Sequence, residues 1–394
     1  MAQNAQGGTC RVTICFFSAQ YLPTAGGVER YTYNLAKRAA ADGHRALVVT
    51  SALPGLPARE TGPEGIEIFR LPVWALMKGR FPVVRKNREF RALEAALFAE
   101  SIDFAVVNNL FYSLSLHALR QAGRRGVPRL LVNHGAQYLM TGFAPLVWAG
   151  KCYEKLAARL ARRRCGRFYA VSGEGARWLK TAFGIEADGL LYNAVDPDEL
   201  AALAGAGEPD WRARLGMPPG APLVAFAGRM IPEKGALELA QAMRAVRASI
   251  PGARCVMAGD GPLREAVSAG DFPGVSAAGP CAYPDTLALI RQADVLALPT
   301  RSEGFAGAVL EAAALGTPIV TTATGGSPEL MPDPSYGKII PDRRPETIAA
   351  ALLEALGDPA WAARAAKKTR ARLEARFTWD KTYEALLGAV QGEV

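Results

Sequence analysis

Short apolar runs alternate with segments of helical periodicity in the first half of the chain. The runs RVTICFFS and HRALVVTS, rich in β-branched and aromatic residues, flank VERYTYNLAKRAAADG, whose apolar positions recur at helical spacing and end at a glycine. The alternation continues at DFAVVN, RLLVNHG and RFYAVSG, each followed by a helix-like segment. Because continuous apolar strands between helices are typical of parallel sheets covered on both faces, this half is predicted to be a Rossmann-like α/β unit.

The pattern breaks near residues 193–198, where YNAVDPDEL brings proline and acidic residues together. A second α/β series follows, with the strand-like runs PLVAFAGR, ARCVMAGDG, GVSAAG, ADVLALP, TPIVTT and GKIIP. We predict Rossmann-like domains at residues 1–194 and 195–377, and an amphipathic closing helix at residues 378–394 that packs back toward the first domain. Two such domains face each other across a cleft at the carboxyl ends of their strands, where open α/β sheets bind ligands.

Composition changes this picture mainly through charge. A chain of 394 residues exceeds what one hydrophobic core usually supports, and it contains no low-complexity tract or short tandem repeat. The net charge of +9 indicates an anionic partner, which leaves nucleic acid, a phosphorylated substrate and an acidic membrane surface as candidates. Since no zinc-finger spacing or RNA-binding motif is recognisable, we expect no nucleic-acid partner.

The cysteines and the ends of the chain suggest a compartment. The six cysteines form no CxxC pair and no framework spacing, which predicts buried free thiols in a reducing environment. The opening MAQNAQGGTCR lacks a basic segment followed by an apolar core, and no run reaches the roughly 18 apolar residues of a membrane span. We expect a cytoplasmic protein that contacts a membrane only peripherally.

Two loops after predicted strands of the first half carry candidate binding groups. Gly26 and Gly27 precede a predicted helix, where glycine permits close backbone approach and exposes amides that suit a phosphate. A plain strand-to-helix turn explains them equally well. His134, followed by Gly135, ends a strand and could donate to a substrate hydroxyl or stabilise charge, although a loop histidine bonded to backbone is the simpler interpretation.

The second half places cations at a comparable position. Arg229 ends a predicted strand in FAGRMIPEKG, and Lys234 lies about one turn beyond it, so that a guanidinium and an ammonium could hold one phosphate group. A solvated pair of charges is the alternative. The glycine-bracketed turn AGDGP at residues 258–262 is predicted to form a wall of the same cleft.

The stretch EGFAGAVLE contains two carboxylates with seven residues between them. If a helix begins at residues 305–307, its first-turn amides face the cleft, with Glu303 just before it and Glu311 one to two turns inside. Because a carboxylate accepts two hydrogen bonds at once, Glu303 could take sugar hydroxyls and Glu311 ribose hydroxyls, while the amides hold a diphosphate. A glutamate that favours the helix dipole, together with an ordinary surface glutamate, is the alternative.

In this order, the motifs resemble those of the family 4 retaining glycosyltransferases of the GT-B fold. The resemblance covers nearly the whole chain and rests on GGVERY, HG, AVSGEGARWL, YNAVD, FAGRMIPEKG, AGDGP, EGFAGAVLEAAALGTPIV and TGGSPEL. It implies transfer of a hexose-type sugar from a UDP- or GDP-sugar with retention of configuration, without metal or another cofactor. It also implies an acceptor-binding first domain and a nucleotide-sugar-binding second domain.

The resemblance assigns roles to individual residues. Catalysis falls to His134, Glu303, Arg229 and Lys234, with the two cations neutralising the diphosphate leaving group. The nucleotide sugar is expected to contact a larger set, namely Gly26, Gly27, Arg229, Lys234, Glu303, Gly304, Phe305, Ala306, Gly307 and Glu311. Two positions depart from the family pattern: Ala306 replaces a glycine of EGFG, and Ala194 replaces the glycine of PNGVD. Neither change removes a charged group.

The sequence DPD at residues 196–198 imitates a metal-binding DxD motif. We interpret it instead as the start of a helix, because Pro197 suits the first turn. No metal site is expected.

A basic helix suggests where the acceptor is found. Within KCYEKLAARLARRRCGR, a stripe at helical spacing contains Lys151, Lys155, Arg159 and Arg162, and with KGRFPVVRKNREFRALEAALF it favours an anionic membrane surface. The stretch NHGAQYLMTG before it is similar to that of members acting on lipid-linked or surface-polysaccharide glycans. Three alternatives stay open: a solvated helix face, a transferase acting on a small soluble metabolite, and a sugar-nucleotide epimerase of similar fold.

Overall fold

The computed structural model describes residues 11–24, 26–62, 64–77, 79–138, 144–206 and 210–392. Cys10 and residues 139–142 of NHGAQYLMTG lie outside this part of the chain. The elements of the first half are β1 (Thr13–Phe17), α1 (Gly27–Ala41), β2 (Arg45–Ser51), β3 (Arg59–Thr61), β4 (Glu67–Leu71), β5 (Val73–Leu76), β6 (Phe81–Val84), α2 (Arg88–Ala99), β7 (Phe104–Asn108), α3 (Ser113–Arg124), β8 (Arg129–Asn133), α4 (Ala144–Arg162), β9 (Phe168–Ala170), α5 (Gly173–Phe183) and β10 (Gly189–Leu190).

The second half contributes another set of helices and strands, joined by short loops. These elements are α6 (Pro197–Gly205), α7 (Trp211–Arg214), β11 (Leu223–Ala227), a 3₁₀ turn (Pro232–Lys234), α8 (Ala236–Ser249), β12 (Arg254–Ala258), α9 (Arg264–Ala269), β13 (Val275–Gly279), α10 (Tyr283–Gln292), β14 (Val295–Leu298), α11 (Gly307–Leu315), β15 (Ile319–Thr322), α12 (Ser327–Leu330), β16 (Lys338–Ile340), α13 (Pro345–Gly357), α14 (Pro359–Arg376) and α15 (Trp379–Gln391).

Within the described residues, the first sheet has eight strands in the order β10-β9-β8-β7-β1-β2-β4-β3, parallel except for β3. Its central strand β1 is entirely buried, with Ile14 opposite Ala46 on one side and Phe104 on the other. One core lies between the sheet and helices α2 to α5, and a second lies under α1 and α15. Apolar residues on both faces explain the continuous runs seen in the sequence.

In the part of the chain that the structure describes, the second sheet has six parallel strands in the order β13-β12-β11-β14-β15-β16. Each begins within one of the predicted runs, and a single large core surrounds them. The α/β fold class predicted from the sequence is confirmed.

The junction between the halves contains a helix cap and an ion pair. Asp196 accepts a hydrogen bond from the Glu199 amide and caps α6, which begins at Pro197, so the DPD sequence forms the predicted helix start. The closing helix α15 packs on α1, and its Asp380 pairs with Arg38 at 2.6 Å. The boundaries at residues 194 and 377 stay predictions.

The prediction of buried cysteines needs a correction. Cys15, Cys165 and Cys255 are buried, but Cys281 is only partly covered and Cys152 is exposed on α4. The α4 cysteine faces solvent because the buried face of that helix is formed by small residues such as Ala157 and Ala161. Among the described residues, no helix is both long and apolar enough to cross a membrane.

Candidate active site

A cleft of about 1020 Å³ lies where the two halves meet. Most of the predicted site residues line it together, namely Gly26, Gly27, His134, Arg229, Lys234, Glu303, Gly304, Phe305 and Gly307. Ala306 and Glu311 are buried behind its wall. The carboxyl ends of parallel strands place these loops at one edge of each sheet, which is why residues so distant in sequence converge.

The first turn of α1 carries a carboxylate that we did not predict. A Cβ atom at Gly26 would lie 2.3 Å from Oε2 of Glu29, so the Glu29 side chain folds back against this glycine. Glu29 is buried beside the cleft, and burial raises the pKa of its carboxyl. A phosphate approaching Gly26 would therefore meet this carboxyl as well as backbone amides.

His134 lies in a hydrogen-bond network that fixes its proton. Thr32 donates its hydroxyl hydrogen to Val28 O at 2.8 Å, so its oxygen accepts from Nδ2 of Asn108 at 3.1 Å. Oδ1 of Asn108 then faces Nε2 of His134 at 2.8 Å, which places the imidazole proton on Nε2. Burial lowers the pKa of His134 to about 3, so the ring is neutral near pH 7.

The geometry argues against both roles suggested for His134, which were donation to a substrate hydroxyl and stabilisation of charge. A neutral imidazole cannot stabilise charge by carrying a positive charge of its own. With Nε2 donating to Asn108, Nδ1 is left as a hydrogen-bond acceptor.

The two halves touch closely beside this histidine. A Cβ atom at Gly304 would lie 2.0 Å from the carbonyl oxygen of His134, so only glycine fits here. Nδ2 of Asn193 donates to Phe305 O at 3.0 Å on the same loop. Ala306 precedes α11 with an extended backbone, and the helix begins at Gly307, within the predicted range.

The two predicted cations of the second half, Arg229 and Lys234, differ in exposure and in partners. Arg229 follows β11 and is exposed in the cleft. Lys234 ends the 3₁₀ turn, and its Nζ donates to Oε1 of Glu303. The Lys234 and Glu303 side chains are only 18% and 11% exposed, so this ion pair is largely desolvated. No sequence pattern predicts this ion pair, since its partners lie on separate loops.

Glu311 is buried on α11 with two partners that sequence reasoning missed. The Tyr283 hydroxyl donates to its Oε1 at 2.9 Å, and Arg30 Nη1 lies 3.4 Å from the same oxygen. Burial raises the pKa of Glu311, while Arg30 and the Tyr283 hydrogen bond oppose that rise. A Cβ atom at Gly307 would lie 3.7 Å from Oε1, so the carboxylate lies directly behind a cleft wall that carries no side chain. This burial excludes the interpretation of Glu311 as a surface residue.

The turn AGDGP does not line the cleft, contrary to the prediction. Its Gly259 packs against the chain before Arg229, where a Cβ atom would lie 1.9 Å from Gly228 O. The turn therefore supports the Arg229 loop from behind.

A reciprocal pair of hydrogen bonds joins the halves at the next loops. Gly173 N–H donates to Oε1 of Glu329 at 2.6 Å, and Gly325 N–H donates to Oε2 of Glu174. Burial raises the pKa of both carboxyls. The motifs SGEGA and TGGSPE therefore meet each other across the junction.

The basic residues of α4 are exposed, as a surface role requires. This stripe comprises Lys151, Lys155, Arg159 and Arg162. Trp148 and Leu156 of the same helix are 70% and 56% exposed, and Trp74 and Met77 near the β5–β6 hairpin are 54% and 56% exposed. Phe81 of this hairpin contacts Tyr153 of α4, with ring centroids 5.7 Å apart. The α4 surface thus combines cations with large apolar side chains beside the cleft.

The fold and the site define a class: two facing α/β units with a cleft between their sheets, lined by residues of both halves. The family model described as Glycosyltransferase Family 4 matches residues 25–199, and the model described as Glycosyl transferases group 1 matches residues 221–358. The chain belongs to the family 4 glycosyltransferases of the GT-B fold. The resemblance predicted from the motifs is confirmed.

Individual relatives agree with this assignment. A D-inositol 3-phosphate glycosyltransferase of Mycolicibacterium paratuberculosis is 35% identical over 45% of this chain and 42% of that protein. A GDP-mannose-dependent monoacylated alpha-(1-6)-phosphatidylinositol monomannoside mannosyltransferase of Corynebacterium glutamicum is 29% identical over 57% of this chain and 61% of that protein. The chain thus matches less than two thirds of the length of these relatives. Sucrose-phosphate synthase of Thermosynechococcus elongatus has the same fold, with a TM-score of 0.74 at 22% identity over 97% of this chain and 99% of that one.

Proposed function

We propose that the protein is a retaining glycosyltransferase that moves a hexose-type sugar from a UDP- or GDP-sugar to an acceptor. The observation that carries the proposal is the position of Glu311, a buried carboxylate directly behind Gly307 in the cleft that also contains Arg229 and Lys234. A carboxylate so placed can accept both hydroxyls of a ribose while the cations hold the diphosphate. Membership of the family supports the same assignment.

Arg229 and Lys234 supply the charge for the leaving group. Transfer breaks the bond between the anomeric carbon and the diphosphate oxygen, and negative charge develops on that oxygen. Two cations at the cleft can stabilise this charge without a metal ion. Lys234 is held by Glu303, so the diphosphate would share or replace this partner, and Glu303 would be free to accept sugar hydroxyls.

Retention is proposed to proceed by attack on the face from which the diphosphate leaves. The acceptor oxygen bonds to the anomeric carbon, and its proton passes to a phosphate oxygen of the leaving group. His134 takes no proton in this scheme. Its neutral ring, held by Asn108, offers a fixed hydrogen-bonding group near the reacting face.

The test is a panel of UDP- and GDP-sugars, measured first by thermal shift and then by release of nucleotide with and without acceptors. A bound donor raises the unfolding temperature through linkage. Glu311→Ala should weaken the response to nucleotide, and Glu303→Ala should impair sugar recognition or transfer. Wild-type behaviour in both variants would contradict the assigned roles. Loss of transfer on chelation, restored by a divalent ion, would contradict the metal-free clamp.

The acceptor is proposed to be a lipid-linked or cell-surface polysaccharide intermediate, reached at the cytoplasmic face of a membrane. The α4 surface supports this, because Lys and Arg attract anionic lipid at about 1 kcal/mol each and exposed Trp suits the interface. The α4 surface and the β5–β6 hairpin beside it reach the cleft, which is lined by Met77, Phe81 and Tyr153. A headgroup held at this surface therefore lies next to the site. The name of the Corynebacterium relative refers to a phosphatidylinositol acceptor.

Vesicle flotation tests this part separately. We expect salt-sensitive binding to anionic vesicles, reduced by Lys151→Glu with Lys155→Glu and by Trp148→Ser, but not by Lys367→Glu on α14, which is exposed elsewhere. Absence of binding by the wild-type protein would remove the membrane proposal.

The alternative acceptor is a small phosphorylated metabolite, which the name of the Mycolicibacterium relative favours. Conversion of donor without any acceptor would instead indicate an epimerase.

A further inference from the structure

Arg30 reaches from one half of the molecule to the other. It belongs to α1, whose first turn lines the cleft, while Tyr283 begins α10 and Glu311 lies on α11. The Arg30 guanidinium carbon lies 3.6 Å from the centroid of the Tyr283 ring, and Nη1 lies 3.4 Å from Glu311 Oε1. One side chain therefore makes a cation–π contact and an ion pair across the junction.

These contacts occupy one oxygen of the carboxylate assigned to the ribose. Oε1 of Glu311 already receives the Tyr283 hydroxyl at 2.9 Å and faces Arg30. The Glu311 side chain is 10% exposed and does not line the cleft. A ribose that enters past Gly307 and donates one hydroxyl to each carboxylate oxygen would have to compete with Arg30 for Oε1, because two donors cannot occupy the same lone-pair direction.

Arg30 is suited to being displaced. Its side chain is 36% exposed, and a separation of 3.4 Å is long for a charge-assisted hydrogen bond. Partly exposed ion pairs of this kind are weak, so the contact can be exchanged for ribose hydroxyls. Lys234, in contrast, is largely buried against Glu303.

Resting on the proposed function, we propose that Arg30 gates the nucleotide site: it pairs with Glu311 and is displaced from this carboxylate when a nucleoside diphosphate binds. Binding at Glu311 and the contact of Arg30 with the second half then exclude each other. Arg30 is a positioning residue in this scheme, and its removal favours the nucleotide. A residue that clamped the diphosphate, or merely stabilised the fold, would have no such effect.

Calorimetric titration with UDP and with GDP tests the gate. Arg30→Met keeps the aliphatic stem and removes the charge, and Arg30→Ala provides a second variant. Because the displaced contacts are individually modest, we expect the Kd of the nucleotide that binds the wild-type protein to fall about five- to tenfold in both variants. The gain should vanish when Glu311→Gln is added, since the competition is for that carboxylate. Arg38→Met is the matched control on the same helix, because Arg38 pairs with Asp196 and Asp380.

The outcomes separate the gate from the proposed function. An unchanged or raised Kd in the Arg30 variants of a protein that binds nucleotide would overturn the gate alone. A gain that persists with Glu311→Gln would also overturn it. Absence of binding to UDP and GDP by the wild-type protein and both variants would overturn the gate and the nucleotide-sugar assignment together.

Discussion

Replacing Gly304 with alanine would push the two halves of the molecule apart. The added Cβ atom would lie 2.0 Å from the His134 carbonyl oxygen, and real contacts of this kind do not fall below 3.0 Å, so a gap of about 1 Å must open. Gly304 has little room to retreat, since its backbone packs closely against Gly325, where an added Cβ atom would lie 2.6 Å from the Gly304 carbonyl oxygen. Overpacking of this kind costs about 1–3 kcal/mol in the free energy of unfolding.

The same displacement should affect catalysis more strongly than it affects stability. A misplacement of about 1 Å at reacting groups can lower a rate by about 100-fold. We expect Gly304→Ala to lower the turnover of the donor identified in the panel by that order, together with the stability loss in urea. Gly388→Ala is the control, because Gly388 is exposed on α15 with no atom within 4 Å of its Cβ position. Wild-type turnover and stability in Gly304→Ala would refute the close approach.

Further predictions concern charges near the junction. Lys234→Met leaves the Glu303 carboxylate largely buried without its cation, so the free energy of unfolding should fall by about 1–3 kcal/mol. Adding Glu303→Gln should restore stability but not nucleotide binding. If the double variant stays as unstable as Lys234→Met, the pairing is contradicted. The pKa of His134 falls from an ordinary value near 6.5 to about 3, so its contribution to stability is complete above pH 6.5 and is lost as pH falls toward 3. In urea titrations, the free energy of unfolding of His134→Gln should therefore fall less steeply with decreasing pH than that of the wild-type protein. An identical pH dependence would contradict this. Burial raises the pKa of Glu329, so ionisation opposes folding as pH rises; Glu329→Gln keeps an acceptor for the Gly173 amide and should gain about 1 kcal/mol at pH 8 but not near pH 4, whereas a loss at pH 8 would contradict the sign.

Strands buried on both faces could be predicted from the sequence because each consists of an uninterrupted run of mainly apolar residues. All six strands of the second sheet fall within apolar runs. Strand β4 was missed because EIFRL includes Arg70, a buried arginine whose guanidinium pairs with Glu60 at 2.6 Å. The β5–β6 hairpin was missed because its apolar residues, such as Trp74, face outward and no core periodicity marks them.

Of the site, only the residues on loops that directly follow strands could be predicted from the sequence. Arg229, His134 and the Glu303 loop follow strands of parallel sheets, and such ends share one edge. Arg30 and Tyr283 were not predicted as site residues because their contact depends on how the two halves face each other. That relation arises from packing at the junction, which local periodicity does not describe.

A structure with bound UDP or GDP tests the central claim most directly. The account predicts phosphate oxygens within hydrogen-bonding distance of Arg229 and Lys234, ribose hydroxyls on Glu311, and the diphosphate facing His134 across the cleft. A nucleotide bound away from Arg229, Lys234 and Glu311 would contradict it.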